Sequence, residues 1–146
     1  MKTTFHWVVS PDVIAEGVQK YGKKMLVAVQ AAATYWGQHI QNEARVNARW
    51  EDRTGGARGG LFFAVDGFGM DPIVGEVTPE AEAAKDDDVT VESGSGTLLI
   101  VTLGHTVFYG KYLELNDNYA IVMSTIEENL PMLERLIGEY GNGIKL

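Results

Sequence analysis

Apolar residues at Ile14, Val18, Tyr21, Met25, Val29, Ala32, Trp36 and Ile40 recur every three or four positions, the period of an α-helix with one buried face. Ser10 suits an N-cap, Pro11 a first helical position, and Asp12 the positive end of the helix dipole. No breaker follows before Asn47. The pattern predicts a helix over 11–47, about 54 Å long at 1.5 Å per residue. That is long for a chain of 146 residues. Gly17, Gly22 and Gly37 each cost about 1 kcal/mol against Ala, so they mark close packing or a bend. Either the helix covers a sheet at its middle, or its overhang packs on another subunit.

The length predicts one domain, 1–146. A 45% hydrophobic content suits a soluble chain with a sizeable core, so global disorder is not expected. No apolar run reaches the roughly 18 residues of a membrane span, and Met1–Ser10 lacks the pattern of a signal peptide. The absence of cysteine excludes disulfides, thiolate metal sites and cysteine nucleophiles, and suits a reducing cytoplasm. Three scattered histidines, His6, His39 and His105, argue against a zinc site.

The net charge of −8 is unevenly spread. Residues 1–60 carry eight Lys/Arg against five Asp/Glu, or +3, and residues 61–146 carry four against fifteen, or −11. An acidic chain is a poor non-specific DNA binder, because neutralised phosphates supply that affinity. The asymmetry either serves solubility alone or steers copies of the chain together, basic end to acidic end.

Four of the five arginines cluster at Arg45, Arg49, Arg53 and Arg58, and the first three would share a stripe if the helix persisted. Glycines at 55, 56, 59 and 60 predict a loop needing positive φ. No Gly-Lys-Ser/Thr closes it, so it is not a phosphate-binding loop. Three roles stay open for it: a structural turn, an arginine-mediated contact with a subunit or partner, and contact with a DNA backbone.

Strands are expected over Leu61–Val65, Ile73–Thr78, Val89–Glu92 and Thr97–Leu103, where β-branched or aromatic runs lie between Gly, Pro and Asp. The last two read as a hairpin joined by Ser93-Gly94-Ser95-Gly96. Thr97–Leu103 is apolar on both faces, which predicts a strand that is central or covered on both sides. The acidic segment Pro79–Asp88 reads as a mobile, solvated loop, since its consecutive aspartates lack the alternate spacing of a Ca²⁺ loop. Beyond it, Val107–Leu113 predicts a short helix, Asn116–Asn118 a turn and Tyr119–Met123 a last short strand. Overlapping capping boxes at Ser124 and Thr125 predict a C-terminal helix over 125–140, closed by Gly141. Pro131 predicts a kink or a start near Asn129.

Catalytic patterns are missing: there is no Gly-x-Ser-x-Gly, no His-Glu-x-x-His and no cofactor loop. His105, at a strand end, is a place where a general base could sit, and a carboxylate pair assembled from distant positions is the other catalytic option. The plainer role is a local hydrogen bond at the strand-to-helix corner. No catalytic, cofactor or metal residue is assigned.

Two segments carry a family likeness. Ala48-Arg49-Trp50-Glu51-Asp52-Arg53-Thr54-Gly55-Gly56-Ala57-Arg58-Gly59-Gly60-Leu61 follows the long helix. His105-Thr106-Val107-Phe108-Tyr109-Gly110-Lys111-Tyr112-Leu113-Glu114 follows the strands and precedes a Pro-containing C-terminal helix. In this order they resemble the tail-completion, or head–tail joining, proteins of long-tailed bacteriophages. The resemblance departs at the acidic insert and at Gly59-Gly60, where a larger polar residue would be expected.

The resemblance implies an α+β fold, with a long N-terminal helix packed on a mainly antiparallel sheet, a short helix after the last long strand, and a C-terminal helix. It implies a virion protein made in the host bacterial cytoplasm, with no enzymatic activity and no cofactor. Its place would be the neck, as one of six copies in a homo-oligomeric ring between the head-side connector and tail-tube or tail-terminator proteins. Genomic DNA would pass through the ring without specific recognition, and no membrane would be involved. Arg49, Trp50, Arg53 and Arg58 become candidate interface residues: the arginines to hold the corner and adjacent subunit surfaces by ion pairs, Trp50 and Leu61 to anchor it. The alternative is a small cytoplasmic hydrolase or a ligand-binding α+β domain.

Overall fold

The helical periodicity of the first half yields α1, Lys23–Asn47. A computed structural model describes the backbone of residues 5–9, and residues 22–87 and 89–143 in full. Gly22 precedes α1 at φ 62°, a left-handed conformation that glycine adopts without a Cβ penalty. That turn interrupts the helix, so a single helix over 11–47 does not form. Ser10, Pro11, Asp12 and Gly17 lie outside the described residues.

The inner face of α1 is Val29, Ala32, Ala33, Trp36, Ile40 and Ala44, all buried. Its small residues let the helix approach the sheet closely. A Cβ on Gly37 would stand 2.4 Å from the Phe63 ring, so this glycine marks close packing rather than a bend.

The sheet has the order β1-β4-β2-β3, with every pairing antiparallel. Its strands are β1 Phe5–Val9, β2 Leu61–Gly67, β3 Met70–Val74 and β4 Leu99–His105. The central β4 runs two residues later than the expected Thr97–Leu103, because Thr97 lies in the preceding turn. It is buried along its whole length, as the two apolar faces of that run predict. Leu61, Phe63, Val65, Leu99, Val101 and Leu103 join the inner face of α1 in the main core. β1 was not expected from sequence. The β2–β3 hairpin turns at Phe68-Gly69, both with positive φ. Phe68 is buried in the core, which offsets the strain of a left-handed aromatic residue.

Three expectations in the middle of the chain need correction. Ile73–Thr78 shifts to Met70–Val74 because the tight hairpin sets the register. Val89–Glu92 is not a strand, and Ser93–Gly96 closes no hairpin beyond a single Ser95–Leu98 bridge. Its backbone bonds to the β2–β3 turn instead: Gly94 N donates to Asp66 Oδ2 and Phe68 N to Ser95 O. Val89 and Val91 help to bound a cleft over the reverse face of the sheet, at Phe62.

Nor is Pro79–Asp88 a free solvated loop over its described part. Thr78 caps a short helix, α3 Pro79–Ala83, and Asp86 N donates to Thr106 O at 2.7 Å. Asp88 lies outside the described residues.

The short helix α4, Gly110–Glu114, forms as expected. Tyr119–Met123 is no strand, because the chain turns at Asn116–Tyr119 and enters α5, Val122–Asn142. The capping boxes go unused: Ser124 and Thr125 lie inside α5, and their hydroxyls donate back to Ile121 O. α5 passes through Pro131, which stands on the exposed side, and through Gly141 to end at Gly143. Among the described residues no helix is long and apolar enough to cross a membrane.

Candidate partner interface at the arginine corner

The segments 48–61 and 105–114 lie far apart in sequence and meet at one corner. There the C-terminus of α1 faces the start of α5. Each helix end exposes unpaired backbone groups, carbonyls at a C-terminus and amides at an N-terminus. Each receives a side chain of the complementary charge, half-buried at the first end and almost wholly buried at the second.

At the first end, the Arg58 guanidinium donates to the carbonyls of Arg45, Ala48 and Trp50 at 2.5–2.9 Å. A cation there complements the negative end of the α1 dipole. Asp52 brings Arg58 into place. Its carboxylate accepts from Gly55 N and Arg58 N, ordering the turn into the short helix α2, Gly56–Gly59. Arg45 points the other way, donating to Gly59 O, Leu61 O and Glu76 O. Burial pulls its pKa below the ordinary arginine value. The two arginines thus stitch α1 to the start of β2 through carbonyls.

At the second end, Glu114 accepts from Ile121 N and Val122 N, capping α5. The same carboxylate meets His105 Nε2 at 2.8 Å, with both side chains almost wholly buried. Gly110 packs against the His105 ring: a Cβ there would stand 2.3 Å from the histidine Cβ and 3.0 Å from Nδ1. Both ring nitrogens are closed to solvent.

The segments touch directly. The Trp50 and His105 rings lie 5.8 Å apart, and the Thr106 amide and hydroxyl both donate to Gly60 O. Gly56, Gly59 and Gly60 are needed for contact rather than for positive φ, which only Gly55 adopts among them. A Cβ on Gly59 would collide with Thr78, and one on Gly60 with Gly56 O and Thr106.

The candidate interface residues therefore separate. Trp50 and Leu61 are buried in the core, and Arg58 is engaged within the chain. Arg49 and Arg53 are exposed and form no ion pair or hydrogen bond among the described residues. The shared stripe of Arg45, Arg49 and Arg53 does not arise, because α1 ends at Asn47. The expected ion pairs at the corner are replaced by hydrogen bonds from guanidinium to carbonyl. Arg53 instead edges an open cleft of about 220 Å³, bounded also by Trp50, Asp52, Ala57, Tyr109 and Leu113. Sequence reasoning passed over Asp52 and Glu114: the helix that Asp52 orders is only four residues long, and Glu114 reaches α5 from seven to eight residues upstream, beyond the span of a capping box.

Among the described residues no group of His, Asp and Glu is placed to hold a metal ion. No protein-family model matches the chain, and comparisons with curated proteins and with solved structures give no match.

Proposed function

We propose that this chain is a structural protein of a bacteriophage virion, completing the tail and joining it to the head at the neck. The observation that carries this reading is the junction of its two motif segments. Trp50, Asp52, Gly55, Arg58, His105, Gly110 and Glu114 lie at one corner and hold it together. Residues that would be unrelated in an arbitrary chain have one joint purpose here. That is the behaviour of a scaffold motif rather than of an active site.

The rival hydrolase reading needs His105 as a base. Its Nε2 faces a carboxylate that also caps α5, and its Nδ1 lies under Gly110. A general base must reach the proton it removes, and both nitrogens of this ring are turned away from solvent, which favours the structural reading.

On the proposed reading six copies form the ring, between the head-side connector and the tail-tube or terminator proteins. DNA passes through the ring. A chain of net charge −8 gives a channel that DNA crosses without tight binding, since each neutralised phosphate would add favourable counterion release. Mass spectrometry and immunogold labelling of purified phage particles test the reading. The protein is expected at the neck, and its absence from the particles overturns the proposal. So would substrate turnover by the purified chain that is lost in His105→Ala.

A further inference from the structure

Among the described residues, the large apolar side chains left exposed fall, apart from Val74, into two groups. One is Val27, Tyr35 and Val46, which with the exposed Ala31, Gln38 and Asn42 between them form a stripe along the outer face of α1. It spans about 28 Å at 1.5 Å per residue and bears no charge. The other lies on one continuous segment, 108–123, and comprises Phe108, Tyr112, Leu115, Tyr119 and Met123. The Glu114 cap ties this segment to the first turn of α5.

The two groups differ in their surrounding charge. Helix α1 is net +2, from Lys23, Lys24 and Arg45 against Glu43, and its exposed lysines lie at the Val27 end. Residues 108–128 are net −3, from Lys111 against Glu114, Asp117, Glu127 and Glu128, and the last three carboxylates named are exposed. Depletion of charge at the centre with charge at the rim is the composition of a protein interface. The stripe is also about as long as one side of a standard patch of roughly 800 Å² per partner.

We propose that the α1 stripe of one copy docks the 108–123 patch of a second copy, with Lys23 and Lys24 facing Asp117, Glu127 and Glu128. The two surfaces are unlike, so the contact is heterologous and propagates from copy to copy until it closes. This rests on the ring reading and names the surfaces that would build it. Opposite rim charges set the orientation of the contact more than its strength.

The chain has no cysteine, so single cysteines report the contact cleanly. Tyr35→Cys and Tyr112→Cys are made in the full chain, both at exposed positions, and far-UV circular dichroism checks their folding. Under mild oxidation at high protein concentration, the mixture is expected to give a mixed disulfide dimer, and the double variant a ladder of multimers. Adding Lys23→Glu and Lys24→Glu should lower the yield about fivefold, the scale of one or two exposed ion pairs. High salt should lower it in the unsubstituted background. A dimer formed by Tyr35→Cys alone, with no mixed species, overturns the proposal in favour of two-fold pairing. No cross-link in any combination overturns it outright. A chain found at the neck but failing this test loses only the interface. One that cross-links but is absent from particles keeps the interface and loses the neck.

Discussion

α1 and α5 pack on each other, yet their outer faces differ. The outer face of α5 carries Glu127, Glu128, Glu134, Arg135 and Glu139, the ordinary solvated side of an amphipathic helix. The outer face of α1 carries no charge from Val27 to Val46, and Val46 is 79% exposed. Their inner faces are alike, built from aliphatic and aromatic side chains in one core. Packing therefore does not explain the difference. A helix in this fold can carry a charged outer face, as α5 does, so the bare face of α1 is not a requirement common to the two helices.

The inner faces set the largest effects. Trp36 is wholly buried on α1, and its indole donates to Asn129 O of α5 at 2.7 Å. Trp36→Ala should cost about 3–5 kcal/mol, combining lost apolar burial with a cavity. Urea denaturation followed by circular dichroism measures it. A loss below about 1.5 kcal/mol would mean that the two helices are not held together through this residue.

The helix ends come next, and they contrast within the arginine cluster. Arg58→Ala leaves the carbonyls of Arg45, Ala48 and Trp50, at and just beyond the end of α1, without this donor and should cost about 2–3 kcal/mol. Arg53→Ala removes an exposed side chain and should stay within about 0.5 kcal/mol. Equal losses for the two would remove the distinction between the engaged and the exposed arginine. At the opposite helix end, Glu114→Ala uncaps α5 and strips His105 of its partner, for an expected loss of about 2 kcal/mol. Glu114→Gln should recover part of this, since its amide oxygen still accepts from the α5 amides. If it recovers none, the carboxylate's charge, not its acceptor, stabilises this end.

These sites also mark what the sequence made legible. The core stripe from Val29 to Ile40, the strand Leu61–Val65 and the doubly apolar Thr97–Leu103 repeat a local period, and local periods survive into the fold. Val89–Glu92 has the composition of a strand, but the chain just after it bonds to the end of β2 and its turn. Gly94 N donates to Asp66 Oδ2 and Phe68 N to Ser95 O, a choice no local pattern encodes. The start of α5 shows the same limit. Ser124 and Thr125 are good caps by type, but Glu114 reaches the α5 amides first and turns both hydroxyls into interior residues. Of the arginine corner, the residue types were visible and their directions were not. Arg49 and Arg58 look equivalent in sequence, and only the turn ordered by Asp52 sends one inward.

The smallest effect expected bears most directly on the two outer faces. Tyr35 projects from α1 with 56% of its surface exposed, and Arg135 projects from α5, paired loosely with Glu139 at 3.7 Å. Arg135→Ala should change stability by no more than about 0.5 kcal/mol, because an exposed i,i+4 pair contributes only a few tenths. Tyr35→Ser should be as mild for the isolated chain, since it forms no hydrogen bond among the described residues and is no part of the core. Serine is a somewhat poorer helix former than alanine, so Tyr35→Ala serves as the propensity control. Denaturant midpoints of the three variants decide the matter. If both Tyr35 variants lose more than about 1.5 kcal/mol while Arg135→Ala loses nothing, the uncharged face of α1 is required for folding itself. Its composition then says nothing about a second copy. If all three stay close to the parent, the fold tolerates either kind of outer face, and the lack of charge on α1 calls for a partner.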